Sequence, residues 1–235
     1  MEPIRIQKYL ADCGVCSRRA AEAAIADGLV TVNGKLAEIG QKVTPSVDLV
    51  CYAGKQVLPG NAEKHYILLN KPRGIVCTAK DEKGRTPVTD LVKLDGARLY
   101  PVGRLDMDSD GLLLLTDDGD FANHLTHPRH EIPKIYEVTF RESPTERQLE
   151  ILRSPMELDG YSLLPVGIRP LAPDKLEMTL WEGRNRQIRR MCESAGLKIT
   201  RLCRVAVGKV TLGSLPAGKW RHLTDAEVQY LLKGK

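Results

Sequence analysis

The hydrophobic and polar positions near the N-terminus follow the period of two short helices and then that of a hairpin. Residues 4–12 and the stretch that begins at Ser17 have apolar residues at helical spacing. Ser17 is a residue type common at a helix N-cap, and Gly28 stands where the second helix would end. The next stretch alternates around Asn33-Gly34, a dipeptide that favours a two-residue hairpin turn. The pattern therefore predicts a compact module of two helices and a small sheet.

The rest of the chain has more strand-like stretches than helical ones. Residues 59–64 lack apolar periodicity and contain Pro59 and Gly60, which is typical of a linker. The predicted strands are Tyr66–Leu69, Ile75–Thr78, Leu99–Val102, Leu112–Thr116, Ile135–Phe140, Leu176–Trp181 and Val205–Leu212. The predicted helices are Pro87–Val92, Asp120–Leu125, Thr145–Arg153, Arg186–Ala195 and Asp225–Leu232. Because strands and helices do not alternate regularly, we expect two α+β domains, 1–60 and 61–235, the second with helices flanking a mixed, mostly antiparallel sheet.

Composition indicates the compartment. Hydrophobic residues make up 42% of the 235 positions, enough for a buried core, and no apolar run is long enough to span a bilayer. The first residues lack the apolar stretch of a signal peptide. We therefore expect a cytoplasmic protein with no membrane partner, whose six cysteines are reduced thiols.

The charge is unevenly distributed along the chain. The formal net charge of +5 divides into +1 over residues 1–60, −5 over residues 61–182 and +9 over residues 183–235. A local basic excess of this size favours a polyanionic partner. Residues 223–233 have the pattern of an amphipathic helix, so we expect the basic stretch to be folded and to lie near a phosphate backbone.

Residues 103–120 concentrate six aspartates around an apolar run, and one interpretation of their spacing is a calcium loop. Positions 1, 3, 5, 6 and 12 of an EF-hand loop would be Asp106, Asp108, Asp110, Gly111 and Asp117. An EF-hand also needs an entering helix, but residues 96–105 contain two glycines and a proline, which disfavour one. The last position holds an aspartate in place of the usual bidentate glutamate. We therefore expect no metal in this loop.

Cys13 and Cys16 have the spacing of a redox pair or of half a zinc site. The sequence has no second pair with this spacing, and His124, His127 and His130 lie far along the chain. We interpret the two cysteines as small buried thiols.

Five stretches, in order along the chain, resemble a single enzyme family. They are residues 6–35, LNKPRGIVCT at 69–78, GRLDMDSDGLLLLTDDG at 103–119, KIYEV at 134–138 and EGRNRQIRRM at 182–191. The last four are similar to the catalytic motifs of the RsuA-type family of bacterial ribosomal RNA pseudouridine synthases, and the first resembles the S4-type RNA-binding module that these enzymes carry. The resemblance covers nearly the whole chain, although Asp108 and Asp110 make the loop more anionic than expected beside RNA.

The resemblance implies an isomerisation of uridine that requires no cofactor. The N1–C1′ bond breaks, the uracil turns, and it rejoins the ribose through C5. By the resemblance, Asp106 is the catalytic carboxylate, Arg104 fills the space of the flipped base and Tyr136 packs on the uracil. Without the resemblance, Asp106 could equally lie in a surface turn, Arg104 could be a solvated arginine and Tyr136 could be a core tyrosine.

Arg189 has a position of its own on the helix predicted over residues 186–195. The apolar face of that helix consists of Ile188, Met191, Cys192 and Ala195. Arg189 lies at the edge of this face, where an arginine is partly buried and needs a carboxylate partner. The resemblance implies that the partner is Asp106, and Glu193 on the next turn is the alternative.

Other residues are candidates for contacts with RNA phosphates. They are Arg5, Lys8, Ser17, Arg18, Arg19 and Lys35 in the N-terminal module and Lys71, Arg184, Arg186 and Arg190 in the catalytic domain. For any one of the N-terminal residues, a solvated helix face is an equal alternative.

We expect the partner to be a ribosomal RNA stem-loop or a ribosome assembly intermediate, and the enzyme to be a monomer. The resemblance favours 23S RNA. One alternative is the same chemistry on transfer RNA, and another is a non-catalytic S4-type ribosome assembly factor. The presence of Asp106, Tyr136 and Arg189 together argues against the assembly factor, because a binding protein does not need this combination.

Overall fold

The computed structural model describes residues 2–58, 63–78, 84–127, 129 and 132–233, which form two compact units. The first unit comprises Met1–Lys64, Gly96–Arg98 and Asp117–Gly119, and the second comprises the other residues. Most of the predicted linker, residues 59–62, lies outside the described residues. Within the described part of the chain, no helix has the length and apolar character needed to cross a membrane.

The first unit consists of two helices and short strands. Its elements are β1 (Ile4–Arg5), α1 (Ile6–Asp12), α2 (Arg18–Ala26), β2 (Val30–Val32), β3 (Lys35–Leu36), β4 (Lys42–Val43), β5 (Val50–Tyr52) and β6 (Lys55–Gln56). Ser17 accepts a hydrogen bond from the backbone N–H of Ala20, which confirms the predicted N-cap of α2. The hairpin predicted at Asn33-Gly34 is also confirmed, since β2 and β3 pair there and both turn residues have positive φ. The first helix begins later than predicted, because β1 pairs with β4.

The second unit contains the longer strands. Its elements are β7 (Tyr66–Lys71), a 3-10 turn (Val88–Leu91), β8 (Tyr100–Val102), β9 (Asp110–Thr116), α3 (Gly119–Thr126), β10 (Lys134–Phe140), α4 (Glu146–Arg153), β11 (Glu157–Leu158), β12 (Tyr161–Ser162), β13 (Gly167–Ala172), β14 (Lys175–Leu180), α5 (Gln187–Ser194), β15 (Ile199–Val207), β16 (Val210–Thr211), β17 (Trp220–His222) and α6 (Asp225–Lys233).

One sheet organises this unit, in the order β13-β14-β10-β15-β9-β7-β17, with β8 paired to β9 and β16 to β15. Its described strand pairings are antiparallel, apart from the parallel pairing of β9 with β15. The predicted mixed, mostly antiparallel sheet is thus confirmed. Gly111 allows the parallel contact, because a Cβ there would lie 2.3 Å from the carbonyl oxygen of Arg204, and its φ of +108° suits glycine.

Amphipathic helices cover the sheet through two apolar clusters. In one, Leu149 and Leu152 of α4 and Met191 of α5 share a core with Val138 and Met178 of the sheet. The second cluster joins residues of α3 and α6 to β7 and β9, and includes Phe121, Leu231, Leu68, Leu112 and Leu114. A capping box of Thr145 and Gln148 sets the start of α4.

One predicted strand is wrong, and a second has different bounds. Instead of a strand at Ile75–Thr78, the structure has an isolated bridge of Val76 with Pro87. The strand predicted at Val205–Leu212 begins at Ile199 and ends at Val207, where the chain turns into β16. Gly208 makes this turn at a φ of +57°, and a Cβ there would lie 2.7 Å from the ring of Tyr230.

Candidate active site

Asp106 lies in the turn between β8 and β9, and the side chain of Lys71 holds the backbone of this turn. The Nζ of Lys71 donates hydrogen bonds to the carbonyl oxygens of Pro72, Asp106 and Ser109, at 3.0, 3.1 and 2.8 Å. The backbone N–H of Ser109 donates to the carbonyl oxygen of Asp106 at 3.1 Å, which closes the turn. The backbone of Asp106 is therefore held by two independent hydrogen bonds.

The prediction that Lys71 contacts RNA is wrong. Its side chain is fully buried, and its three ammonium hydrogens all have carbonyl acceptors. Burial lowers the pKa of Lys71, and the nearby carboxylates of Asp110, Asp106 and Asp108 oppose that shift. Lys71 supports the loop instead of contacting a partner.

Two guanidinium groups approach the same oxygen of Asp106. The Nη1 of Arg186 lies 3.5 Å from Oδ2, and the Nε of Arg189 lies 3.8 Å from it. Arg186 also donates hydrogen bonds to both carboxylate oxygens of Asp108, at 3.3 Å each. Arg186 was expected at a phosphate, but the structure brings it to the carboxylates of the loop. In the described part of the chain, Arg189 pairs with loop aspartates and not with Glu193.

The side chain of Arg189 is 16% exposed and is held at one end. Its Nη2 donates to the carbonyl oxygen of Asp108 and to the hydroxyl of Ser109, both at 3.0 Å. Its Nε is buried and has no hydrogen-bond acceptor within reach. An unsatisfied buried N–H is unfavourable, and Oδ2 of Asp106 lies 3.8 Å from it. Arg189 and Asp106 are thus placed to pair closely.

The two extra aspartates of the loop are paired with arginines. Asp110 accepts hydrogen bonds from Arg201 at 2.7 Å and from Arg73 at 3.4 Å. Burial by itself would raise the pKa of Asp108 and Asp110. The hydrogen bonds and positive charges of the arginines outweigh burial and hold both pKa values below their usual range. These pairs offset the anionic character of the loop.

The calcium interpretation does not fit this geometry. Strand β8, not a helix, leads into the loop, and guanidinium groups already contact the carboxylates of Asp108 and Asp110. The described residues include no cluster of three or more His, Cys, Asp or Glu side chains arranged to hold a metal ion. Cys13 and Cys16 were expected to be buried, but both are only half-buried. His130 lies outside the described residues.

A cleft of about 330 Å³ lies beside Asp106, within the usual size range of ligand pockets. Tyr136 and Arg104 both line it. Tyr136 is half-buried and packs against the core that includes α4 and α5, whereas Arg104 is exposed. The apolar lining includes Leu114, Leu125, Leu180, Ile188, Leu202 and Val207. The structure therefore brings Asp106, Arg104, Tyr136 and Arg186, the residue just before α5, to one cleft of mixed character.

The hairpin of β11 and β12 contacts the two remaining arginines of this region. The guanidinium of Arg184, which lines the cleft, lies 4.3 Å from the ring centroid of Tyr161. Arg190 donates two hydrogen bonds to the carboxylate of Asp159, at 2.7 and 2.8 Å, and is not among the residues that line the cleft. Arg184 is therefore at the candidate site and Arg190 is outside it.

The N-terminal candidates lie at the surface of the first unit. Arg5, Arg18, Arg19 and Lys35 are exposed. Lys8 is half-buried and pairs with Asp12 at 2.7 Å. Ser17 caps α2, so its hydroxyl already accepts the N–H of Ala20. The arginines that follow Ser17 are thus the most accessible cations of this helix.

Sequence reasoning misses three polar residues of the site. Ser109 has a buried hydroxyl that accepts from Arg189. Lys134 and Arg204 both line the cleft. Lys134 stands two residues before Tyr136 on β10, so the period of a strand could have identified it. Arg204 has no such signal, because the strand that carries it was predicted to begin after it.

Two family models match the chain. The model described as RNA pseudouridylate synthase matches residues 65–194, which include the loop, α5 and most of the residues that line the cleft. The model of the S4 domain matches residues 4–49.

Proteins from several bacteria are similar over nearly the whole chain. A ribosomal large subunit pseudouridine synthase B of Bacillus subtilis is 43% identical, over 97% of this chain and 95% of the relative. The dual-specificity RNA pseudouridine synthase RluF of Escherichia coli is 38% identical, over 98% of this chain and 79% of its own length. One solved structure, of a pseudouridylate synthase, has a TM-score of 0.71 at 30% identity and covers 97% of this chain and 99% of its own.

Proposed function

This chain belongs to the RNA pseudouridylate synthase family, with an S4 domain at its N-terminus, and we propose that it converts a uridine of 23S ribosomal RNA to pseudouridine. The observation that carries the proposal is the approach of Arg186 and Arg189 to Asp106 beside a cleft of suitable size. The choice of ribosomal RNA is supported by the Bacillus subtilis relative, which is named for the large ribosomal subunit. We further propose that residues 1–60 bind the RNA and residues 61–235 carry out the reaction.

The chemistry requires little beyond a well-placed carboxylate. Uridine and pseudouridine contain the same atoms in the same oxidation state, since the N1–C1′ bond is replaced by a C5–C1′ bond and the C5 proton moves to N1. The reaction therefore requires no redox cofactor and no group donor. In our proposal Asp106 supplies the carboxylate that acts on the target nucleotide.

Arg186 and Arg189 act as positioning groups for Asp106. Their guanidinium nitrogens stand 3.5 and 3.8 Å from one carboxylate oxygen, and Lys71 holds the backbone of the same residue. A carboxylate restrained from both sides has few orientations, which favours reaction with a bound nucleotide. Arg189 contributes most to this restraint, because its side chain is the less exposed of the two.

The target uridine must leave its stack to reach a recessed carboxylate. We propose that the uracil enters the cleft and packs against the ring of Tyr136. The exposed side chain of Arg104, two residues before Asp106, would then occupy the space that the base leaves in the RNA. The remaining basic residues would contact phosphates: Arg184 and Arg190 in the catalytic domain, and Arg5, Lys8, Arg18, Arg19 and Lys35 with the N-terminus of α2 at Ser17 in the S4 domain.

The enzyme is proposed to act as a cytoplasmic monomer on a stem-loop of ribosomal RNA or of a ribosome assembly intermediate. Deleting its gene and mapping pseudouridines in total RNA tests the proposal. We expect at least one pseudouridine to disappear from 23S RNA and to return with the wild-type gene but not with Asp106→Asn. Loss from transfer RNA alone would change the proposed substrate, and an unchanged map would contradict the proposal.

A further inference from the structure

Two cations line the cleft without an acidic partner. Across the described residues, neither Lys134 nor Arg204 forms an ion pair with an aspartate or glutamate, although most arginines around the loop do. Arg204 is 6% exposed, and its Nε donates to the carbonyl oxygen of Leu112 at 2.7 Å. Buried charged side chains usually have a partner of opposite charge, so Lys134 and Arg204 are exceptions that need an explanation.

The sheet places both cations beside Tyr136. Tyr136 and Arg204 are direct partners in the antiparallel pairing of β10 with β15. Lys134 lies two residues before Tyr136, so both side chains are on the same face of β10. The three residues all line the cleft, next to the apolar side chains of Leu180 and Leu202. A nucleotide that packs on Tyr136 would therefore also be beside the two cations.

The arrangement is unfavourable in the free protein. Burial lowers the pKa of Lys134, and the positive charge of Arg204 lowers it further. Two like charges held close together in a partly buried site repel each other. A bound anion would offset this repulsion. Without one, the two neighbouring cations do not stabilise the protein.

Given the proposed function, we infer that Lys134 and Arg204 form a subsite for an anionic oxygen of the target nucleotide. This oxygen has two candidate sources, of which the first is a phosphate oxygen of the flipped nucleotide. The other is a uracil oxygen that gains charge as the N1–C1′ bond breaks and its electron pair leaves with the base. That charge is lost again when C5 forms its bond to C1′ and the C5 proton passes to N1.

The test uses the full chain, an unmodified 23S RNA transcript and three variants. Lys134→Met removes the charge, Lys134→Arg keeps it, and Lys93→Met removes an exposed lysine of the same unit that does not line the cleft. Dissociation constants at several salt concentrations and single-turnover rates at saturating enzyme are measured for each. Thermal unfolding separates a binding role from a structural one.

We expect Lys134→Met to lose about tenfold in affinity or in rate, and Lys134→Arg and Lys93→Met to stay within about threefold of wild type. If the oxygen belongs to a phosphate, Lys134→Met should bind RNA more weakly, and the salt dependence of its affinity should be lower by about one in log–log slope. If the oxygen belongs to the uracil, the variant should have a lower rate at saturating enzyme and an unchanged affinity. The unfolding temperature of Lys134→Met should be equal to or above that of wild type, because repulsion is removed.

A Lys134→Met variant with wild-type affinity and rate would overturn the subsite. The subsite would also be overturned if Lys134→Met and Lys134→Arg both unfolded at a clearly lower temperature than wild type, because that would indicate a structural role for Lys134. If wild type itself were inactive on the transcript, the proposed function would fail, and an active wild type with unaffected variants counts against the subsite alone.

Discussion

Replacing Arg189 by lysine should slow pseudouridine formation about a hundredfold, although the charge is kept. In the structure, Nη2 of Arg189 donates to the carbonyl oxygen of Asp108 and the hydroxyl of Ser109, and Nε lies 3.8 Å from Asp106. A lysine has one terminal nitrogen in place of the planar fork, so it cannot reach all three acceptors in the same geometry.

The magnitude follows from these contacts. Hydrogen bonds from a charged donor contribute roughly 1.5–3 kcal/mol each, and Ser109 is 1% exposed, so water cannot replace its donor. Losing two such bonds should cost roughly 3–6 kcal/mol of unfolding free energy. If the substitution displaces the proposed catalytic carboxylate by about 1 Å, the rate should fall about a hundredfold, which corresponds to a barrier increase of about 2.7 kcal/mol.

Arg190→Lys is the matched control, one residue further along α5. Arg190 also makes a bidentate pair, with Asp159, but the aspartate side chain is 71% exposed. Such surface pairs contribute little to stability, and lysine keeps the charge proposed to face a phosphate, so this variant should keep its stability and its rate at saturating enzyme. Single-turnover rates at saturating enzyme and urea unfolding compare the two variants. Equal rates for Arg189→Lys and Arg190→Lys would refute the positioning role of Arg189.

Two further predictions concern the loop and the S4 domain. The pKa of Asp110 is lower in the folded than in the unfolded chain. Its pairing with Arg201 therefore stabilises the fold at pH values above the ordinary carboxyl pKa of about 4. This contribution is lost as the pH falls through the pKa of the folded state. Urea unfolding should therefore show Asp110→Asn to be less stable than wild type at pH 7, with a difference that shrinks below about pH 4, and a pH-independent difference would contradict this. The double variant Arg18→Gln, Arg19→Gln should bind 23S RNA more weakly, with a salt slope lower by about one to two, and an unchanged slope would exclude both residues from phosphate contact.

Local patterns predicted the elements whose signals lie within a few residues. Ser17 and the Asn33-Gly34 turn are such cases, because an N-cap and a two-residue hairpin are determined by their own side chains and backbone. The strand predicted at Ile75–Thr78 fails for the opposite reason. Its apolar residues suit a strand, but only Val76 finds a partner, and strand pairing depends on distant parts of the chain.

The candidate site shows the same limit. The aspartate in the loop and the arginine at the edge of the α5 face could be proposed from motif and helical period. The approach of Arg186 to Asp106 depends on its left-handed backbone conformation just before α5, with a φ of +50°, which its residue type does not favour. The burial of Lys71 and the exposure of Arg204 to the cleft depend on which strands pair in the sheet, and no local signal reports that.

The rate of pseudouridine formation by Asp106→Asn tests the central claim most directly. The substitution is nearly isosteric and removes the negative charge of the side chain. With saturating enzyme and unmodified 23S RNA, we predict a loss of at least about 10³-fold, a barrier increase of about 4 kcal/mol, with little change in RNA affinity. Asp159→Asn is the control, since it also removes a carboxylate that faces an arginine of α5, and it should react at nearly the wild-type rate. An Asp106→Asn rate within about tenfold of wild type would contradict the assignment of Asp106 as the catalytic carboxylate.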